Sequence, residues 1–320
     1  MKTWKPWLIM ALALTLIMGL ASCKKTEEKE EATTTNVETS EKQNTEVSEE
    51  TATKLKDDFD IIKEDAKAVS TDLYKFVEEN KAKLNEGQVD LMMEDILASA
   101  KKDALALNEL IQREDVAKAI AEVKDGVRIT KEHLEKISDN KIKEELLAKY
   151  QDTLVILQGG EGSLVGAVDY SKLLAVDSMG HEWKDYLTIL SQNQEKPALV
   201  DASLAIPFKE LGERLANIEK YLSSYGKTQR SQELSKDFEN MLRTYLKGID
   251  NTPIAEAGKL KEEVKEAYEA SAANDKTIVG QTISRYLEVL KAKNFVIDDE
   301  VLKGADRLLE NALNLMKKTK

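Results

Sequence analysis

Phe238-Glu239-Asn240-Met241-Leu242-Arg243-Thr244-Tyr245-Leu246 is the stretch that decides the fold class. Its apolar residues, Phe238, Met241, Leu242, Tyr245 and Leu246, fall at i, i+3, i+4, i+7 and i+8, which gives an α-helix one apolar stripe. The same spacing recurs in Phe208, Leu211, Leu215, Ile218 and Leu222, and again in Met93, Ile96, Ala100, Ala104, Leu107 and Ile111. No sustained period-two alternation argues for a strand. Lys, Glu, Leu and Ala dominate, aromatics make up 5%, and beyond residue 54 the prolines are confined to 197, 207 and 253. Straight-chain residues lose little rotamer freedom in a helix, so this composition favours helix almost everywhere. The expectation is an all-α fold, a multi-helix bundle or an irregular helical-repeat array of about nine to ten helices.

Local signals place the boundaries. Asn85-Glu86-Gly87 separates a helix ending near Leu84 from one over roughly 88–112. A helix from about Lys141 to Leu157 is expected to run into Gly159-Gly160-Glu161-Gly162, read as an interhelical or interdomain loop. Pro207 suits a first helical turn, and Thr228, Thr252 and Asp298 are candidate N-caps. Arg243-Thr244-Tyr245-Leu246 and Ser284-Arg285-Tyr286-Leu287 repeat a Tyr-Leu pair inside two amphipathic helices, a spacing that a repeat array would produce. The helical body is expected either as two halves, 54–158 and 159–320, or as one continuous domain.

The N-terminus reads differently. Lys2 and Lys5 precede a mostly apolar run from Leu8 to Gly19, which is followed by the small residues Ala21 and Ser22 and then Cys23. About 20 apolar residues are needed to span a bilayer as a helix, so this run is a removable signal over 1–22 and not a permanent span. Cys23 is the only cysteine, which excludes an internal disulfide and leaves it free, paired with another chain, or modified. From Lys24 to Thr53 nine Glu and four Lys stand among Thr, Ser, Asn and Gln, with only Val37 and Val47 as larger apolar residues. Such a stretch buries too little to offset its conformational entropy, so 23–53 is expected to be a disordered acidic tether.

Leu20-Ala21-Ser22-Cys23 resembles the lipobox of bacterial lipoproteins. The resemblance implies that Cys23 carries a diacylglyceryl thioether and becomes the first residue of the processed chain. Two acyl chains suffice for stable membrane attachment, since each buried methylene contributes about 0.8 kcal/mol. Val168-Asp169-Tyr170, Trp183-Lys184-Asp185-Tyr186, Lys196-Pro197 and Gly248-Ile249-Asp250-Asn251-Thr252-Pro253-Ile254 are similar to segments of uncharacterised helical lipoproteins of Gram-positive, clostridium-like bacteria. That similarity implies the outer face of a cell membrane and brings no activity with it.

No catalytic constellation stands out, and no catalytic, cofactor-binding or metal residue is nominated. The run Gly160-Glu161-Gly162-Ser163-Leu164-Val165-Gly166 lacks the Gly-Lys-Ser/Thr ending of a P-loop and the spacing of a dinucleotide fingerprint. His133 and His181 belong to no His-Glu-x-x-His motif, and no further cysteine completes a zinc site. The net charge is −12, of which the body beyond the tether holds about −9, so nucleic acid is a disfavoured partner. The aromatic cluster of Tyr170, Trp183 and Tyr186 is the candidate binding surface, with core packing as its other role.

Together these features point to a lipid-anchored, non-catalytic binding module, with an envelope protein or peptide as partner and no cofactor. A ligand-capture lipoprotein or an envelope hydrolase is the alternative. Cys23→Ala is expected to abolish metabolic labelling of the protein with fatty acid and to release it from membranes. Labelling that persists in the variant would refute the lipobox assignment.

Overall fold

A computed structural model describes residues 49–318; the signal segment, Cys23 and the tether up to residue 48 lie outside the described residues. Glu49–Glu64 (α1) and Ser70–Asn80 (α2) lead into Glu86–Ile111 (α3), the longest described helix. Helix α1 begins before Lys54, so the last residues assigned to the tether are helical. Asn85 and Gln88 start α3 by exchanging bonds: the Gln88 amide donates to Asn85 Oδ1 at 3.0 Å and the Asn85 amide to Gln88 Oε1 at 3.1 Å. Its buried stripe of Val89, Met93, Ile96, Ala100, Ala104, Leu107 and Ile111 runs along the whole helix, and α1, α2 and the elements that follow pack around it.

Glu114–Val123 (α4), Arg128–Ile129 (β1), Lys131–Leu134 (α5) and Asn140–Lys149 (α6) come next. Two strands then replace the end of the expected helix: Leu154–Gln158 (β2) pairs antiparallel with Leu164–Val168 (β3), and β1 flanks β2 on its other side. Leu154, Val155 and Ile156 are fully buried, so this strand has no polar face and shows no alternation. A short, continuous apolar run fits a buried strand or a buried helix equally well by period alone. The glycine run is therefore a hairpin turn, in which Gly162 takes φ 78° and the Gly159 amide bonds Ser163 O at 2.8 Å. Because β2 and β3 pair across residue 158, the segments 54–158 and 159–320 share one sheet.

The outer edge of β3 is closed by side chains. Gly166 N–H donates to Asn108 Oδ1 at 2.9 Å while Asn108 Nδ2 donates to Gly166 O at 2.7 Å, so one amide from α3 takes the place of a further strand. Gln194 Nε2 covers Val168 O two residues along. A Cβ at Gly166 would stand 3.0 Å from Leu107 Cδ2, tighter than ordinary van der Waals contact, so glycine suits this close approach of β3 to α3.

Tyr170–Leu174 (α7) and His181–Glu195 (α8) cross to the second half, followed by a small hairpin of Leu199–Val200 (β4) and Ser203–Leu204 (β5). Phe208–Ser224 (α9) and Gln229–Lys247 (α10) follow. Thr228 caps α10 through the Ser231 amide at 3.1 Å, and α9 starts just after Pro207. Thr252 does not cap a helix. It lies in Thr252–Pro253 (β7), paired with Gly248–Ile249 (β6), and its hydroxyl accepts the Leu204 amide at 3.0 Å. A further hairpin, Ala255–Glu256 (β8) with Lys259–Leu260 (β9), precedes Glu262–Ala272 (α11), Ile278–Ala292 (α12) and Asp299–Lys318 (α13). Asp298 caps α13 through the Val301 amide at 2.8 Å.

The chain is thus all-α with a few short strands. Thirteen α-helices occur among the described residues, more than the expected nine to ten, because pieces as short as α5 and α7 leave no readable period. The last five helices close on themselves: α9 packs on α10 and α11, α11 on α12, α12 on α13, and α13 on α10. Inside this ring the two echoed tyrosines meet a third. Tyr268 lies 5.1 Å from Tyr245 and 5.7 Å from Tyr286 between ring centroids, and all three are fully buried. Tyr268 donates to Tyr245 O at 2.6 Å and Tyr245 to Ala267 O at 2.8 Å, so α10 and α11 satisfy each other's hydroxyls with backbone oxygens.

Asn108→Ala leaves the Gly166 N–H and C=O without partners at a buried position. A loss of about 2–3 kcal/mol is expected, given about 1–3 kcal/mol for an unsatisfied buried group. Urea unfolding of the variant against the parent chain measures it.

Candidate functional site

Three helices in succession, α8, α9 and α10, enclose a groove with the segment leading into β4. Periodicity puts its polar lining in place. Asn193 follows Ile189 and Leu190 on the last turns of α8; Arg214, Asn217 and Ile218 fall at i, i+3 and i+4 of α9; Asp237, Asn240 and Met241 do the same on α10. Pro197, Ala198 and Leu199 close the end. The hollow is about 160 Å³, close to an engineered cavity of about 150 Å³ that admits benzene.

Its floor is fixed by Arg214, which is only 4% exposed. Nη1 donates to Lys196 O at 2.7 Å and Nη2 to Glu210 Oε1 at 2.6 Å, while Lys196 Nζ bonds the other oxygen of Glu210 at 2.5 Å. These two cations hold the Glu210 carboxyl below its ordinary range, the lysine contributing most. Nε of Arg214 is buried without a hydrogen-bond partner among the described residues. Asn193 Oδ1 accepts from the Ala198 amide at 3.2 Å, which ties the end of α8 to the closing segment.

Above this floor, three polar side chains have no partner among the described residues. Asn217, Asn240 and Asp237 line the hollow at exposed positions, and Asp237 has no ion pair or hydrogen bond to another of the described residues. Although Asp237 is open to solvent on one side, the protein packed around its other side pushes its carboxyl above the usual range, and Glu233 one turn earlier adds to the shift. Glu233 itself is occupied, accepting from Tyr186 at 2.6 Å and pairing with Lys101 of α3 at 3.3 Å.

The aromatic candidates surround this groove from behind. Trp183 and Tyr186 are 1% and 0% exposed, so neither offers a binding surface, while Tyr170 is half-buried and packs against the core. Trp183 carries the guanidinium of Arg230 over its ring at 4.2 Å. Arg230 also pairs with Glu94 of α3 and, at 3.0 Å, with Glu182 of α8. Tyr221 adds its hydroxyl to Glu182 at 3.1 Å, and burial pushes that phenol far above its ordinary range. These contacts set the spacing of α8 and α10 on α3 and so the width of the groove.

Other sequence candidates fall elsewhere. His133 closes its own helix start: the Thr130 amide donates to Nδ1 at 3.1 Å, which leaves Nε2–H to donate to Asp125 at 2.6 Å. His181 is the exposed first residue of α8. No group of three or more His, Cys, Asp or Glu residues arranged to hold a metal occurs among the described residues. Cys23 lies outside them, and no described helix is long and apolar enough to cross a membrane. The groove residues were missed because exposed asparagines look like ordinary solvated surface. One signal was present, since Arg214 interrupts the apolar stripe of Leu211, Leu215 and Ile218 with a charge. No family model matches the chain, nor does any curated protein or solved structure.

Removing the Arg230 guanidinium unpairs Glu182 and uncovers Trp183. Arg230→Met is expected to lower stability by about 2 kcal/mol, less than the 3–5 kcal/mol of a fully buried pair because Glu94 is half exposed. Thermal and urea unfolding report the change.

Proposed function

We propose that the protein is a non-catalytic binding module, held by lipid on Cys23 at the outer face of a cell membrane, whose α8–α9–α10 groove receives a peptide segment of an envelope partner. The supporting observation is the set of unengaged groups, Asn217, Asn240 and Asp237, gathered from two helices around one hollow over a rigid arginine floor. Side-chain amides, one carboxyl and apolar carbons are groups that hold a ligand. A primary amide offers one acceptor and two donors, which matches the C=O and N–H of an extended backbone. The tether reading adds that such a module works at high effective concentration near the membrane.

Thermal denaturation of the full chain in detergent micelles tests this against small-molecule capture. Unstructured peptides at a hundredfold their Kd are expected to raise Tm by about 5–10 °C, from about 2.7 kcal/mol of linkage and about 2–4 °C per kcal/mol. Asn217→Trp, which fills the hollow from an exposed position, should remove that rise. A shift with a single sugar, amino acid or metal and none with peptides would replace the peptide reading with ligand capture.

A further inference from the structure

Among the described residues, Asp237 is the one charged group of the groove without a counterpart. Every other charge there is matched: Arg214 and Lys196 share Glu210, and Glu233 takes Lys101 and the Tyr186 hydroxyl. Asp237 follows Glu233 by one turn on the same face of α10, so two carboxylates stand together, and Lys101 pairs with Glu233 alone. An anionic ligand would meet this pair, and the guanidinium that could offset it is already committed to Glu210 and to Lys196 O. The chain's net charge of −12 acts in the same sense, drawing cations toward the surface.

The walls fit a particular kind of cation. Ile189, Leu190, Leu199, Ile218 and Met241 line the hollow with aliphatic carbon, while Asp237 stands at its polar side. Lysine and arginine lay a stem of three or four methylenes along apolar surface and keep the charged head at a polar group. Asn240 is three residues from Asp237 on α10, and Asn217 faces the same hollow from α9, so amides able to take backbone N–H and C=O flank the carboxylate.

We infer that the groove recognises a basic peptide segment, with a lysine or arginine stem in the hollow, its cationic head on Asp237 and its backbone on Asn217 and Asn240. This rests on the reading of the groove as a peptide site and adds the identity of the side chain it selects.

Titration calorimetry of the full chain in detergent micelles, with blocked pentapeptides acetyl-Gly-Ala-X-Ala-Gly-amide, tests both levels. With X as lysine, binding is expected to be at least about tenfold tighter than with norleucine, which keeps the stem and removes the charge, and a glutamate peptide should bind weakest. Asp237→Asn should bring the lysine peptide down to the norleucine value and leave norleucine unchanged. Asp250→Asn, a carboxylate on the β6–β7 turn, should alter neither, which separates a specific pair from general attraction to an acidic protein. Equal affinities for lysine and norleucine, or equal losses from Asp237→Asn and Asp250→Asn, would overturn the inference. If the peptides bind alike and Asn217→Trp abolishes all of them, the groove remains a peptide site without this selectivity. If no peptide binds, both readings fall, and n-butylamine binding as tightly as the lysine peptide would overturn the part assigned to the amides.

Discussion

The guanidinium of Arg230 is the contact on which the arrangement of the molecule turns. A cation this deeply placed must be paired, because an unmatched charge in a low-dielectric setting costs several kcal/mol. Its partners come from different parts of the chain, Glu94 on α3 and Glu182 on α8, and its face lies on Trp183. Satisfying one side chain therefore fixes α10 against both α3 and α8. The two halves of the body are joined through charge and ring stacking as well as through apolar packing.

The groove inherits its shape from that joint. Helices α8 and α10 are set by Arg230 and by the Tyr186–Glu233–Lys101 chain, and α9 is set between them by the Arg214–Glu210–Lys196 arrangement. Arg230 sits between two carboxylates, while Glu210 and Glu233 each join two donors from separate turns or helices, so the groove walls have little freedom to collapse into the hollow. The polar groups left over at its edge are then held ready without being consumed by the fold. A ligand that meets a preformed site loses less to ordering than one that must organise it.

Helical class was legible because stripes such as Phe238–Leu246 and Met93–Ile111 repeat with a period that only a helix satisfies, and the caps at Thr228 and Asp298 could be read from side-chain chemistry alone. The β2–β3 hairpin was not, since a strand buried on both faces shows no alternation, and Thr252 looked like a helix cap because the small hairpins that follow α10 are too short to carry a pattern. For the site, Trp183 and Tyr186 drew attention by their type, yet large aromatics are held inside by their own apolar area. The exposed Asn217, Asn240 and Asp237 gained meaning only from the convergence of α9 and α10, which no local spacing announces. Arg214 was readable as a charge in an apolar stripe.

The pairing of Asn108 with Gly166 carries a consequence for the molecule in company. A bare strand edge is a template, and proteins held at high density can join edge to edge through it into ribbons. Here the outward-facing N–H and C=O of Gly166, midway along β3, are already taken by a side chain that grows from a helix and has no further strand to offer. Neighbouring copies can therefore crowd together on a surface without adding a strand to the sheet at the middle of β3.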